Sequence, residues 1–264
     1  MKKIIAGILF VSAAALCPLI SQAGVELSVN IAPPPLPIYA QPPIPGDGYM
    51  WTPGYWSWDP SNNDYYWVPG TWVLAPFVGA LWTPGYWGWG GGFYAWHGGY
   101  WGTHIGYYGG VNYGFGYGGV GYQGGHWDRG TFNYNRSVNN VGNARSIHAY
   151  NARVTNITNN RASYNGGKGG VSVQQSRSDE MISNMPHKGP TEPQANHEST
   201  SRGSQPQRAS FNHGMPPIAA TQEPGKFNSN VVAARPAPAP AAAPRSRPPE
   251  HQSAPHGNSH EGHR

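Results

Sequence analysis

The chain has 264 residues, a formal net charge of +5 and a single cysteine. That cysteine, Cys17, sits in an N-terminal segment that reads as removable, so a mature chain from residue 24 has no disulfide, thiolate nucleophile or Cys-based zinc site. Charge is split: no Lys or Arg lies between Lys3 and Arg129, giving −5 over residues 24–128 and +8 over 129–264.

Residues 1–23 carry Lys2 and Lys3, an apolar run from Ile4 to Leu16, and Ser21-Gln22-Ala23. This is the pattern of a cleaved secretory signal peptide. The apolar run is too short for a bilayer core of about 30 Å. Leu16 before Cys17 argues against a lipid anchor. Export is expected, to the periplasm, the outer-membrane surface or the exterior. Nucleic acid is not an expected partner, because the basic residues are not interleaved with the tryptophans.

Residues 24–48 begin with alternating Val25, Leu27, Val29 and Ile31, the period of one half-buried strand. "PPPLPIYAQPPIP" (33–45) follows, an extended polyproline spacer or a strap over a domain.

Residues 49–132 hold the repeats. W-x-x-G-x-W occurs as "WTPGYW" (51–56), "WVPGTW" (67–72), "WTPGYW" (82–87) and "WHGGYW" (96–101), with a degenerate "WDRGTF" at 127–132. A decayed copy is expected within the Tyr/Gly run at 106–122. Fixed periods indicate a stacked or meandering repeat. The central Pro-Gly or Gly-Gly reads as a chain reversal, making Gly54, Gly70, Gly85 and Gly99 turn glycines. Hairpins would then pair Trp51 with Trp56, Trp67 with Trp72, Trp82 with Trp87 and Trp96 with Trp101, and place Tyr49 opposite Trp58. One tension is visible: L-Pro fixes φ near −65°, whereas two-residue hairpins prefer primed turns. The links "DPSNND" (59–64), "LAPFVG" (74–79) and "GGG" (90–92) are turn-like as well. Strands of this length are too short for an outer-membrane barrel.

Residues 133–170 are Asn-rich, with spaced Val, Ile and Tyr that suit short strands extending the sheet. Residues 171–264 are polar and basic, rich in Pro and His, and expected to be largely disordered, with a docked stretch around 212–227. The fold class expected is all-β.

No nucleophile elbow and no H-E-x-x-H occurs. Asp59 and Asp64 share one polar turn and read as turn-capping groups rather than an acid–base pair. His97, His104 and His126 read as half-buried, hydrogen-bonded rings. His251, His256, His260 and His263 are weak candidates for loose metal binding. The main candidates are the tryptophans: Trp51, Trp56, Trp58, Trp67, Trp72, Trp82, Trp87, Trp89, Trp96, Trp101 and Trp127. Most are expected in the core and a minority on a surface that stacks on sugar rings.

These four units, with "YYWVPGTWVLAP", "WHGGYWG" and "SYNGGKGG", resemble the YXWGXW (WXXGXW) repeat family, also described as BcpO-related. The resemblance implies an exported bacterial envelope protein with no established catalytic activity or ligand, and it supplies no catalytic residues. The expected role is therefore non-catalytic, without cofactor: structural or adhesive, with an envelope polysaccharide, another envelope protein or a second copy as partner. The alternatives are a glycan-binding module using Trp and Tyr platforms, and metal handling by the His-rich tail.

Overall fold

The computed structural model describes residues 25–142 and 146–237. The expected signal segment at 1–23 and the Pro- and His-rich end from 238 lie outside these residues.

Two long antiparallel ribbons organise the domain. In the first, β2 (Tyr49–Thr52) and β3 (Tyr55–Asp59) form one arm, and β4 (Asp64–Val68) and β5 (Gly70–Leu74) the returning arm. β2 pairs with β5 and β3 with β4, setting Trp51 opposite Trp72 and Trp56 opposite Trp67. The second ribbon repeats this plan with β6 (Leu81–Thr83), β7 (Tyr86–Gly90), β8 (Phe93–His97) and β9 (Tyr100–Gly102). Here Trp82 faces Trp101 and Trp87 faces Trp96.

The expected pairing inside each motif is therefore corrected: every tryptophan pair joins two different motifs, and Trp58 faces Tyr65 rather than Tyr49. Pro53-Gly54 and its equivalents lie along the arms. For the three Pro-Gly pairs the tension over L-Pro is the reason, since a φ near −65° cannot enter a primed turn, and Gly98-Gly99 lies along the arm opposite Pro84-Gly85. The reversals occur at 60–63 and at Gly91-Gly92, where Asn63, Gly91 and Gly92 take φ of 48°, 60° and 93°. The degenerate copy is the exception that makes a true hairpin. β12 (Gly125–Asp128) and β13 (Thr131–Asn135) turn through Arg129-Gly130, with φ of 47° and 85°, and Trp127 meets Phe132.

The motif glycines are thus not turn glycines, and the structure gives them another task. The first tryptophan of each motif lays its ring on the glycine of the partner motif. A Cβ on Gly70 would stand 2.5 Å from the Trp51 ring, one on Gly99 2.5 Å from Trp82, and one on Gly85 2.5 Å from Trp96. Gly54 lies equally close beneath Trp67. Backbone atoms of the opposing arm also approach these glycines within 3.0 Å of the Cβ position. The cross-ribbon pairs then pack edge-on or tilted, with centroids 5.2–5.3 Å apart. Such pairs contribute on the order of 1 kcal/mol each beyond area burial.

Proline interrupts each ladder by removing an N–H, and the freed backbone groups find partners elsewhere. Gly54 N donates to Tyr39 OH at 3.2 Å, and Gly85 O accepts from Tyr113 OH at 2.6 Å. Tyr117 OH lies between the ribbons, 2.9 Å from Trp82 O and 3.4 Å from Trp51 O. Tyr113 and Tyr117 belong to the Tyr/Gly run, which forms the short hairpin β10 (Asn112–Gly114) and β11 (Tyr117–Gly118), not a further ribbon.

The proline segment is a strap laid over the ribbons. Polyproline backbone carries no internal hydrogen bonds, so its carbonyls are open to the buried indoles. Trp56 Nε1 donates to Pro35 O at 3.1 Å and Trp72 Nε1 to Pro42 O at 2.9 Å. β1 (Val25–Val29) pairs with β8 at the edge of the second ribbon. The Asn-rich segment adds the expected short strands: β14 (Ala149–Tyr150) beside β13, and β15 (Tyr164–Asn165) beside β7, both parallel. Its asparagines close loops: buried Asn135 bonds Gln123 O and Ala152 O, and Asn139 bonds Gly124 O.

Disorder expected from residue 171 is corrected for residues 171–237. This segment forms α1 (Arg177–Ser183), α2 (Glu192–Gly203), α3 (Ala209–Asn212), β16 (Ala220–Thr221) and β17 (Val231–Val232). It docks through polar and backbone groups, which hydrophobic patterning does not register. Lys188 bridges Trp101 at a ribbon edge, Arg208 bridges Tyr66, and β16 runs parallel to β5. Capping boxes at Ser176/Asp179 and Thr191/Gln194 start the two longer helices. The expected docked stretch at 212–227 contains β16. No helix among the described residues is long and apolar enough to cross a membrane.

Candidate functional site

The tryptophans divide as expected into a buried majority and an accessible minority. Trp51, Trp56, Trp58, Trp67, Trp72, Trp82, Trp87 and Trp101 are buried; Trp96 and Trp127 are half-buried; Trp89 is 39% exposed.

A cleft of about 300 Å³ opens where the two ribbons and α2 meet. Ribbon one supplies Tyr55, Ser57, Trp58 and Tyr66, ribbon two Trp82 and Trp96, and α2 Glu198 and Arg202. Tyr55 and Trp96 stack with centroids 5.1 Å apart and planes at 19°, joining the two ribbons. Both rings are half-buried. Pro53 and Pro84, the motif prolines of the two ribbons, form part of the wall.

The polar groups of the cleft are held in place. Glu198 Oε1 accepts from Ser57 Oγ at 3.0 Å and from Tyr66 OH at 3.1 Å. Burial, with the Glu198 charge beside it, pushes the Tyr66 phenol well above its ordinary range, so it stays a donor. Arg202, one helical turn on, lies 3.4 Å from Asp59, and Arg208 lies 3.1 Å from the same carboxylate. Asp59 is buried, which would raise its pKa, but bonds from Asn62, Arg208 and Ser61 and the charge of Arg202 hold it below the usual carboxylate range. Its turn-capping role is borne out by the Ser61 and Asn62 contacts. Asp64 accepts from Ser210 Oγ and so also ties the ribbon to its cover.

His197 of α2 was not singled out by the sequence, and it is the most deeply embedded imidazole described. Nε2 donates to Pro69 O at 2.9 Å, and Nδ1 accepts from Gly225 N at 2.8 Å. Burial lowers its pKa to about 4, outweighing the Pro69 bond. It is therefore a neutral clamp between ribbon one and the C-terminal cover. Only its place in a capped helix could have marked it.

The three histidines among the aromatics do not converge. His97 is half-buried and stacks on Tyr86 at 4.5 Å, with its pKa lowered by burial. His104 is exposed beside Thr103, and His126 is exposed against Tyr150. Among the described residues no cluster of three or more His, Cys, Asp or Glu could hold a metal ion. His251, His256, His260 and His263 lie outside the described residues.

The WXXGXW repeat model matches the chain in two copies, over residues 46–73 and 81–101. No curated protein and no solved structure matches it. Each copy covers one ribbon with both of its motifs, so the chain carries two copies of the WXXGXW repeat.

Proposed function

We propose that the protein is an exported, non-catalytic component of the bacterial cell envelope that acts in a structural or adhesive role by holding a polysaccharide chain in the aromatic cleft. The observation carrying this reading is the stacked, half-exposed Tyr55–Trp96 pair, set beside Trp58 and the fixed acceptor Glu198. Flat rings stack on the apolar faces of sugars, and rings already locked by packing lose little entropy on binding. A carboxylate with neighbouring hydroxyl and guanidinium groups then orients sugar hydroxyls. The engagement of Asp59 by two arginines and of Glu198 by two hydroxyls supports holding rather than proton transfer. The signal-like segment at 1–23 supports export.

Tryptophan fluorescence titrated with soluble peptidoglycan fragments and envelope polysaccharide tests the reading. Saturable quenching is expected, with affinity falling about tenfold or more in Tyr55→Ala and Trp96→Ala. A flat titration, or variants that bind as the parent does, would sink it. N-terminal sequencing of the protein recovered from the envelope should begin at Gly24; recovery of an uncleaved chain from the cytoplasm would overturn export.

A further inference from the structure

A second groove, of about 270 Å³, lies beside Gly54. Its aromatic wall is Tyr39 and Phe115, 5.3 Å apart; its polar wall is Asn112, Asn156, Asn160 and Arg161. Three features set it apart from an ordinary surface depression.

The first is strain. Phe115 and Gly116 form the turn between β10 and β11, with φ of 51° and 95°. This is the primed two-residue turn, whose first position favours Asn, Asp or Gly. A bulky residue there costs roughly 1–2 kcal/mol. Phe115 is nevertheless present and only half-buried, with its ring in the groove. The second is rigidity. Segment 155–161 is pinned to the hairpin by Ile157 N to Gly118 O at 2.8 Å and Asn112 Nδ2 to Thr158 O at 2.5 Å. It is pinned to the proline strap by Leu36 N to Arg161 O at 2.8 Å and Arg161 Nε to Leu36 O at 2.7 Å. The Arg161 guanidinium is thus aimed before any ligand arrives. The third is charge. Residues 129–178 contain seven Lys and Arg and no Asp or Glu. Arg136, Arg153, Arg161 and Lys168 are all exposed, and the ion pairs of the described residues all belong to Asp59.

We infer that this groove is a binding site for a carboxylated sugar of an acidic polysaccharide, with the sugar ring against Tyr39 and Phe115 and the carboxylate on Arg161. A planar guanidinium matches a carboxylate in a two-bond fork. The asparagine amides serve hydroxyls, and the net positive charge of residues 129–178 attracts the rest of the polymer at long range. The inference does not rest on the cleft of the preceding section, which has its own rings and its own carboxylate.

The test uses the full chain and two probes of equal length, a galacturonate oligomer and a neutral malto-oligomer, followed by calorimetry. The galacturonate should bind, and its affinity should fall at least tenfold between about 0.05 and 0.5 M salt. Phe115→Asn relaxes the turn but removes a ring that packs on Trp51, so the two effects offset and the chain should stay folded with its denaturation midpoint little changed while galacturonate affinity drops about tenfold. Arg161→Gln, at an exposed side chain, should abolish the preference for galacturonate over the neutral oligomer. Tyr55→Ala in the cleft should leave that preference intact. Equal binding of the two oligomers, or parental galacturonate binding by both groove variants, overturns the inference. So does loss of galacturonate binding in Tyr55→Ala alone, which would place the acidic ligand in the cleft.

Discussion

Ribbon one and ribbon two share one motif plan and one pairing scheme, yet their matched tryptophans differ in exposure. Trp58 and Trp89 each stand two residues beyond the last tryptophan of their motif, opposite Tyr65 and Tyr94. Trp58 is 6% exposed and Trp89 39%. Trp67 is fully buried, whereas its counterpart Trp96 is half-buried in the cleft wall. The cause is cover. On ribbon one the face of Trp56, Trp58 and Tyr65 meets the strap and ribbon two, through Tyr65 OH to Ile31 O and Tyr65 against Trp87. The other elements α2, α3 and β16 are tied on by Asp59, Asp64, Glu198 and the indole bond from Trp67 Nε1 to Ala219 O. The tip of ribbon two carries Gly90, Gly91 and Gly92, which touch little beyond Phe93. The motif therefore sets which rings meet, and the segments laid over each ribbon set which rings stay accessible.

That comparison can be broken most severely at the matched tryptophans. Trp58→Ala should cost about 4 kcal/mol by denaturant unfolding and Trp89→Ala about 1 kcal/mol. Equal costs would mean that ribbon one is not covered as described. Next come the contact glycines, where the ribbons should behave alike. Gly70→Ala and Gly99→Ala each force a Cβ against an indole and the opposing backbone, and about 3 kcal/mol is expected for both. The control is Gly90→Ala, which has open space and should shift stability by less than about 0.5 kcal/mol.

The cover should also respond to pH. The His197 pKa is depressed in the folded chain, so the unfolded chain binds the proton more tightly. Its contribution to stability is complete above the ordinary histidine pKa, declines as pH falls below it, and stops declining below the folded pKa of about 4. By pH 5 the loss should be about 2 kcal/mol. Asp59, also depressed, adds a loss at lower pH as its carboxylate protonates. Thermal unfolding between pH 7 and pH 4 should show this slope in the parent and a flatter one in His197→Asn. A parental slope in the variant would assign the acid sensitivity elsewhere. The smallest effect is expected at Arg202, where Arg202→Ala removes one half-exposed partner of Asp59 while Arg208 remains, and about 0.5 kcal/mol should be lost.

The all-β repeat was legible from W-x-x-G-x-W spacing, and the strap from its prolines. The pairing partners were not. A motif with a tryptophan at each end satisfies an internal hairpin and a pairing between motifs equally well on paper. The φ of Pro53 decides between them, and the true hairpin at Arg129-Gly130 shows what the other solution requires. The helical cover was missed because it is held by single bonds from polar side chains. Gln207 Nε2 to Trp67 O is one, and Trp101 Nε1 to Gln194 Oε1 is another. Neither leaves an apolar period to read.

The amino-acid sequence by itself determined the repeat, its aromatic composition and its short strands, because these follow from spacing and residue type. Only the tertiary structure decided that each motif glycine receives an indole from a neighbouring motif, and that Tyr55 and Trp96 meet across two ribbons. It also decided that Phe115 shares a groove with Arg161, which lies 46 residues further along the chain. Those contacts join positions far apart in sequence, where neither propensity nor period carries information.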